Sequence, residues 1–169
     1  NQVMAPLDFE MASIVHKHLK AKGVQLILGD GVQSFADEGK KITLTSGKEL
    51  NSDLTILSIG VKAESELAVG AGLLVGPRGG IVVDEYLQTS DESIYAIGDA
   101  IEVQDYIFKH QTMVPLAGPA NRQGRIVADN IYGKQVPFKG TLGTAIAKVF
   151  DLTVAVTGHN EKSLRKLGV

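Results

Sequence analysis

Residues Ser93–Ala100 read SIYAIGDA, and the interpretation of the whole chain depends on this stretch. Ile94–Ile97 have the composition of a short buried strand, which Gly98 and Asp99 end abruptly. A glycine lets a ligand approach the backbone, and an aspartate can accept hydrogen bonds from ligand hydroxyls. A Gly-Asp pair after a strand is also common as a plain turn. Both interpretations stay open until the neighbouring residues are considered.

The overall composition is that of an ordinary globular protein. Hydrophobic residues make up 44% and charged residues 21% of the 169 residues, and the formal net charge is −2. This charge provides no basic surface for nucleic acid or for an acidic membrane. No apolar run approaches the roughly 20 residues that a membrane span needs. We therefore expect neither nucleic acid nor a membrane as a partner.

The chain contains no cysteine, which fits a cytoplasmic protein. Disulfides, thiolate nucleophiles and cysteine-based metal sites are therefore excluded within this chain. Among the histidines, His16 and His18 point in different directions on a helix, and His110 and His159 are isolated in the sequence. We expect these four side chains to face solvent or to cap helices, and we expect no metal site.

The N-terminal region predicts a helix followed by a strand. Asp8–Lys22 places apolar side chains near helical spacing, with Asp8 as a candidate N-cap and Gly23 as a candidate C-cap. The apolar run Val24–Gly29 then has the composition of a strand in a parallel sheet. A helix that leads directly into a buried strand is half of a β-α-β unit, so this region predicts the α/β class.

Three segments between Val32 and Gly60 predict an antiparallel meander. Tight turns are expected at Glu38-Gly39 and Ser46-Gly47. The last predicted strand, Leu54–Ile59, is apolar throughout, so we expect it to re-enter a covered sheet. The polar residues 61–65 then predict a linker between domains.

The second half of the chain predicts further strands and helices. They are a helix over Glu66–Val75, strands over Gly80–Asp84 and Ser93–Ile97, a helix within Pro115–Gly133, a strand over Leu152–Thr157 and a helix that begins after Asn160. A single strand and a single helix cannot close a core. We therefore expect the tail to be the opening of a domain whose remainder lies outside this sequence.

Two segments contain glycines or other small residues of the kind that nucleotide-binding motifs use. Gly70, Gly72 and Gly76 are spaced one residue too far apart for G-x-G-x-x-G, and they follow a helical run instead of a strand. The segment Met113–Gly124, MVPLAGPANRQG, places small residues just before a predicted helix. The N–H groups and the positive dipole end of such a helix stabilise an anion or an electron-rich carbonyl. A plain loop-to-helix start would have the same sequence.

Four blocks of the chain, in the expected order, resemble the pyridine nucleotide-disulfide oxidoreductase family. Leu54–Ser65 resembles the segment that closes the NAD(P) domain, Thr89–Ala100 the second FAD-binding motif, Pro115–Ile131 the helix that points at the flavin, and Gly140–Gly168 the start of the dimerisation domain. The last block is similar to the branch that contains CoA-disulfide reductases, NADH oxidases and NADH peroxidases.

The resemblance implies a set of cofactor-binding residues. Asp99, with Gly98 beside it, would bind the ribityl hydroxyls of FAD. The backbone N–H groups around Leu116 and Ala117 would face flavin O2, where negative charge gathers on reduction.

Gly60 and Pro115 would lie beside the NAD(P) nucleotide according to the same resemblance. One segment departs from the family pattern. Members usually have Arg-Pro-Asn after the Gly-Val pair, whereas this chain has Lys62-Ala63-Glu64.

The resemblance also implies the domain organisation. An α/β fold is expected, with parts of Rossmann-like domains that combine a parallel sheet and a β-meander. Residues 1–62 would be the C-terminal part of an NAD(P)-binding domain, and residues 63–137 the C-terminal part of an FAD-binding domain. Residues 138–169 would begin an α+β dimerisation domain. The chain would then be an internal fragment that lacks the redox cysteine and both glycine fingerprints.

The implied parent is an FAD- and NAD(P)H-dependent oxidoreductase that passes hydride through flavin to a disulfide, with CoA disulfide as the first choice, or to oxygen or peroxide. The fragment alone is expected to be inactive and to hold FAD weakly if at all. One alternative is a ferredoxin- or rubredoxin-type reductase, which shares the YAIGD motif. Another is a non-catalytic nucleotide-binding module. We also expect a homo-oligomer, because open strand edges and apolar faces favour pairing.

Overall fold

The computed structural model describes residues 2–169, and within them the fold is α/β, as predicted. The helices are α1 (Phe9–Ala21), α2 (Glu66–Gly70), α3 (Ala117–Ile131) and α4 (Glu161–Lys166). The strands are β1 (Val32–Ala36), β2 (Lys41–Leu44), β3 (Glu49–Asn51), β4 (Ile81–Val82), β5 (Ile101–Gln104), β6 (Gln111–Thr112), β7 (Ala145–Val149) and β8 (Leu152–Val156). No helix in this described part is long and apolar enough to cross a membrane.

The chain divides into two compact units. The first contains the residues up to Gly60 together with Lys148–Val154 and Asn160–Val169. The second contains Val61–Ala147 and Ala155–His159. The candidate site residues described below lie within the second unit, except Gly60, which belongs to the first.

Helix α1 forms where the capping residues predict it. Asp8 occupies the N-cap position with extended backbone, but its side chain does not cap α1 and instead accepts a hydrogen bond from the Glu161 N–H at 2.9 Å. At the other end, Gly23 has a φ of +85° and its N–H donates to the Lys20 carbonyl. The Val24 N–H donates to the Leu19 carbonyl in the same turn. This is the left-handed glycine ending that satisfies the last helical carbonyls.

The predicted meander is present, but its third strand was wrongly placed. The order is β1-β2-β3, with antiparallel pairing throughout. The third strand is Glu49–Asn51, immediately after the Gly47 turn. Leu54–Ile59, the predicted strand, is not part of a sheet, and Leu54 and Ile59 are 77% and 91% exposed. The short turn after β2 brings Glu49–Asn51 into register with β2, because a tight hairpin pairs the residues that directly flank its turn.

The predicted strand Val24–Gly29 is also wrong. This segment carries no strand hydrogen bonding, and none of the sheets in the described residues includes it. An apolar composition favours a strand only when a neighbouring strand supplies donors and acceptors for its backbone. Among residues 2–169, no strand pairs with Val24–Gly29.

The second unit contains a small mixed sheet above a buried core. β4 pairs with β5 in parallel, and β5 pairs with β6 antiparallel. The first three residues of β5 are buried. The core cluster consists of Leu87, Ile101, Val103, Ile126 and Phe138. It therefore joins β5 to one face of α3, and this packing fixes where α3 begins.

Several predicted elements of the second unit are shorter than expected or absent. The helix expected over Glu66–Val75 ends at Gly70, and Gly72 then has a φ of +77°. The strand expected over Ser93–Ile97 is wrong, because the segment makes only one bridge, between Gln88 and Tyr95. β5 and β6 were not predicted, since the motif ending at Asp99 was interpreted as the end of the apolar segment.

The C-terminal tail contains a hairpin and a short helix. β7 and β8 form a two-stranded sheet, so the expectation of a single strand was wrong. The helix predicted after Asn160 is α4, and the Asn160 side chain caps it by accepting the Ser163 N–H at 2.8 Å. Such a cap contributes about 1 kcal/mol to helix stability.

Candidate cofactor site

Asp99 lies on a tight turn between an extended residue and strand β5. Gly98–Ala100 form one 3-10 turn between the extended residue Ile97 and strand β5. Gly98 has a φ of +82°, a conformation that glycine adopts without steric cost. The Asp99 side chain is exposed, and no hydrogen bond joins its carboxylate to any residue in the described range 2–169. The carboxylate is therefore available to an external partner.

The turn that carries Asp99 is attached to helix α3 by a partly buried hydrogen bond. The Gly98 N–H donates to Oε1 of Gln123 at 2.7 Å. Gln123 lies on α3 and is only 2% exposed. A buried acceptor of this kind satisfies a backbone N–H that would otherwise lose its hydrogen bond on burial.

Small residues on α3 allow the close approach that this hydrogen bond requires. A Cβ built on Gly124 would lie 3.7 Å from the Ile97 Cδ1, and one built on Gly98 would lie 3.9 Å from the Ala120 Cβ. Both distances are ordinary van der Waals contacts. One face of α3 therefore packs directly against the segment before Asp99.

The N-terminus of α3 carries free backbone donors. Leu116 is the N-cap, with a φ of −137°, and its side chain makes no capping hydrogen bond. Pro119 has no N–H, and the Ala120 N–H donates to the Leu116 carbonyl at 3.2 Å. The N–H groups of Ala117 and Gly118 therefore remain as the orphan donors of the first turn. Together with the helix dipole they favour an electron-rich atom in front of the helix.

A cavity of about 610 Å³ has two of the predicted cofactor residues, Asp99 and Pro115, in its wall. It is lined by Val61, Lys62, Ala63, Glu64, Arg78, Ile97, Asp99, Ala100, Met113 and Pro115. Two of these side chains are basic and two are acidic, and the other six are apolar, so the wall is mostly apolar and its charges balance. Arg78 reaches the Thr112 hydroxyl at 3.4 Å. Asp99 and Pro115, which were proposed for different nucleotides, line the same cavity.

Gly60 was the remaining predicted contact for NAD(P). It is exposed, has a φ of +118° and is the last residue of the N-terminal stretch of the first unit. Its conformation is accessible to glycine and strained for other residues.

Sequence reasoning missed Gln123, the residue that holds the turn. Gln123 is polar on the buried face of an amphipathic helix, and that anomaly was the one available signal. Its partner Gly98 is 25 residues away, so the pairing itself is not visible in the sequence.

The expectation that the four histidines face solvent or cap helices was wrong for His18 and His159, whose side chains are 20% and 15% exposed and lie beside aspartates. The His159 Nε2 lies 3.1 Å from the Asp105 Oδ2, and both side chains are mostly buried. The Phe108 ring packs edge-on against the His159 ring, with centroids 4.8 Å apart. The His159 and His110 ring centroids are 6.2 Å apart. No group of three or more metal-ligating side chains occurs among residues 2–169.

Comparison with known proteins identifies the family. The sequence profile described as pyridine nucleotide-disulphide oxidoreductase matches residues 1–124. The chain belongs to this family.

Similar proteins agree with the family assignment and extend it to a branch. The CoA-dependent NAD(P)H sulfur oxidoreductase of Pyrococcus abyssi is 37% identical over 95% of this chain and 36% of its own length. The NADH oxidase of Methanocaldococcus jannaschii is 36% identical over 90% of this chain and 34% of its own length. The crystal structure of reduced Bacillus anthracis CoADR-RHD has a TM-score of 0.98 and 56% identity, and it covers 100% of this chain and 30% of that one.

These comparisons confirm the predicted family, the predicted branch and the Rossmann-type α/β class. The chain spans about a third of the length of the curated relatives it matches.

Proposed function

We propose that this chain is part of an FAD- and NAD(P)H-dependent oxidoreductase that reduces CoA disulfide or a related disulfide. The observation that carries this proposal is the Asp99 carboxylate, which makes no hydrogen bond to any of residues 2–169 and lines a cavity next to the start of α3. The membership of the chain in the pyridine nucleotide-disulphide oxidoreductases supports the reaction class.

The residues present fit a flavin with a hydroxylated side chain. A carboxylate with no bond to other residues in the described range can accept hydrogen bonds from ribityl hydroxyls. A charge-assisted hydrogen bond of this kind contributes about 1.5–3 kcal/mol. Gly98 has no side chain to obstruct a ligand that approaches Asp99.

The start of α3 fits the other end of the same cofactor. The free N–H groups of Ala117 and Gly118 would donate to flavin O2, with Leu116 as the N-cap residue between them and Pro115. The positive end of the α3 dipole favours electron density at that oxygen. Bound flavin would supply the two-electron redox chemistry, while these residues bind and orient it.

Gly60 and Pro115 are proposed to lie beside the nicotinamide nucleotide. Support for Pro115 comes from its place in the cavity wall beside residues 61–64. Residues 1–62 are accordingly assigned to an NAD(P)-binding domain, 63–137 to an FAD-binding domain and 138–169 to the start of a dimerisation domain. The parent is proposed to be a homodimer.

The identity of the electron acceptor is the most specific part of the proposal. We place CoA disulfide first because the similar proteins include a CoA-dependent sulfur oxidoreductase and a CoADR-RHD. Oxygen or peroxide is the second candidate, and it is favoured by the similarity to an NADH oxidase. A redox-active cysteine outside this cysteine-free sequence would be needed for disulfide reduction.

The test is to express the complete reading frame that contains this sequence. The purified protein should carry FAD, and it should oxidise NADH or NADPH faster with CoA disulfide than with oxygen under matched conditions. Oxidation that depends on oxygen alone would support the second candidate. A protein without flavin would contradict the whole proposal.

The 169-residue chain provides a control for the same experiment. It lacks both glycine fingerprints, so it should bind FAD weakly and should not oxidise NAD(P)H with any of these acceptors. Tight FAD binding by the isolated chain would instead favour the alternative that the chain is a non-catalytic nucleotide-binding module.

A further inference from the structure

We infer that Gln123 is a positioning residue for the Asp99 carboxylate, and that flavin affinity therefore depends on a side chain buried behind the site. This inference rests on the proposed function, because it concerns how the FAD-binding carboxylate is held. The observation is the hydrogen bond from the Gly98 N–H to the Gln123 Oε1, at 2.7 Å.

The direction of the Asp99 side chain depends on its backbone. Its carboxylate has no hydrogen-bond partner among residues 2–169 that could hold it from the side-chain end. The position of its Cβ is set by the turn Gly98–Ala100, and the turn has no side-chain cap. Whatever fixes the backbone of this turn therefore fixes the carboxylate.

Gln123 supplies that fixed point. Gly98 is a left-handed glycine, and glycine visits more backbone conformations than any other residue when it is not restrained. The acceptor on Gln123 restrains its N–H, and the Gln123 side chain is itself immobilised by burial, with 2% exposure. Without this acceptor the Gly98 N–H would not be held, and the turn Gly98–Ala100 would no longer be restrained to one orientation.

Close packing makes a long acceptor side chain necessary at this position. Ala120 and Gly124, which precede and follow Gln123 along α3, bring the helix near Gly98 and Ile97 respectively. A glutamine or glutamate side chain reaches the Gly98 N–H from the helix backbone. An asparagine is one methylene shorter and would leave that N–H without its acceptor.

The consequence is that one helix holds both flavin-binding elements. Gln123 follows Ala117 by six residues on α3, which is about 9 Å along the helix axis. The start of α3 presents the N–H donors, and Gln123 holds the turn with the carboxylate. Beside the packing of α3 against this segment, the hydrogen bond from Gly98 to Gln123 is the direct link between the two elements.

The experiment uses the complete oxidoreductase with four variants: Gln123→Met, Gln123→Glu, Asp99→Asn and the double variant of Asp99→Asn with Gln123→Met. The dissociation constant of FAD is measured on each apoprotein by flavin fluorescence, and the thermal unfolding midpoint of each apoprotein is recorded alongside. Gln123→Met keeps a long unbranched side chain but removes the strong acceptor, whereas Gln123→Glu keeps an acceptor oxygen.

Gln123→Met should weaken FAD binding by about 2- to 12-fold, the factor that corresponds to one hydrogen bond. Gln123→Glu should restore most of the affinity. In the Asp99→Asn background, Gln123→Met should have little further effect, because the residue acts through the carboxylate. A purely structural role predicts instead the same fold-loss in both backgrounds.

Two results separate the failure of this inference from the failure of the proposed function. Unchanged FAD affinity in Asp99→Asn would overturn the proposed function, and with it this inference. A loss of affinity in Asp99→Asn together with no loss in Gln123→Met, or with equal losses in both backgrounds, would overturn the positioning role alone.

A second measurement needs no cofactor and uses the 169-residue chain. Hydrogen exchange of the Gly98 amide should be faster in Gln123→Met than in the wild type and should be close to wild type in Gln123→Glu. If Gln123→Met does not fold, Gln123→Asn replaces it, with the same expected result. Unchanged Gly98 protection in the variant that lacks the acceptor would overturn the inference.

Discussion

The N–H of Gly98 donates to the side chain of Gln123 at 2.7 Å, and this bond joins the turn that carries Asp99 to helix α3. The sequence motif Gly98-Asp99 is therefore more than a turn after an apolar segment. Its backbone is held by a helix whose own N-terminus carries free donors, so the two halves of the candidate flavin site form one packed substructure.

Two glycine-to-alanine variants around this bond should change stability in opposite directions. Gly98→Ala places a side chain on a residue with a φ of +82°, which should lower the free energy of unfolding by about 1–2 kcal/mol. Gly124→Ala lies inside α3 with an ordinary contact to Ile97, so it should raise the free energy by up to about 1 kcal/mol. Urea unfolding of the isolated chain measures both. Equal destabilisation by the two variants would contradict the packing described at Ile97.

Replacing Gly140 with alanine should destabilise the chain more than replacing a glycine that has a similar φ but no atoms near its Cβ position. Its φ is +88°, and a Cβ there would overlap the Gln104 carbonyl. Gly79 has a φ of +86° and no heavy atom near its Cβ position. Gly140→Ala should therefore cost about 1–3 kcal/mol more than Gly79→Ala, because only Gly140 suffers the overlap. Comparable urea midpoints for the two variants would show that β5 can move away from Gly140.

The buried pair of Asp105 and His159 should make stability depend on acid pH. Burial raises the pKa of Asp105, but hydrogen bonds from the Phe108 N–H, His159 and the Ile107 N–H outweigh this effect and hold the pKa below its ordinary value of 3.8. A group whose pKa is lowered by folding stabilises the folded state at pH values above its unfolded-state pKa. This stabilisation is lost as the pH falls through the folded-state pKa.

Asp105→Asn should accordingly lower the free energy of unfolding by about 1–3 kcal/mol at pH 7. The difference from wild type should begin to shrink as the pH falls below 3.8, where the carboxyl of the unfolded chain binds a proton and the folded carboxyl, with its lowered pKa, does not yet bind one. Asp129→Asn, which removes the exposed pair with Lys134, is the control and should change stability by less than about 0.5 kcal/mol. Urea unfolding between pH 7 and pH 3 tests this, and a difference that stays constant over that range would rule out the ionised carboxylate as the cause.

The exposed apolar segment Leu54–Ile59 should drive self-association of the chain. Ile56 is 80% exposed and Ile59 is 91% exposed. We expect a dimer or larger species at high concentration, and we expect the double variant Ile56→Lys with Ile59→Lys to shift it towards monomer. Ser58→Lys adds one like charge to the same segment without removing an apolar side chain and is the matched control. A wild-type chain that stays monomeric by light scattering would contradict the expectation.

Helices α1, α3 and α4 were predictable because their signals are local, whereas the length of α2 was not. Asp8, Gly23 and Asn160 mark helix ends through their own backbone preferences, and α3 has clear amphipathic spacing. The strands were less predictable, because apolar composition does not say which segment pairs with which. Val24–Gly29 and Leu54–Ile59 have strand-like compositions but no pairing partner in the described residues.

Two of the proposed cofactor-binding residues could be predicted from the sequence, whereas the contacts that hold them in place could not. Asp99 and Pro115 were found from motifs, and both line the same cavity. Gln123 and the pair formed by Asp105 and His159 depend on contacts between residues that are 25 and 54 positions apart. Such contacts arise only from the packing of α3 and of the tail against β5 and its loop, and no local pattern encodes them.

The central claim is that the Asp99 carboxylate binds FAD, and the most direct test is the FAD dissociation constant of Asp99→Asn in the complete oxidoreductase. We predict a loss of about 12- to 160-fold relative to wild type, which corresponds to one charge-assisted hydrogen bond. Glu92→Gln, which removes an exposed carboxylate from the same segment but outside the cavity lining, should leave the constant unchanged. An Asp99→Asn protein that binds FAD as tightly as wild type would contradict the claim.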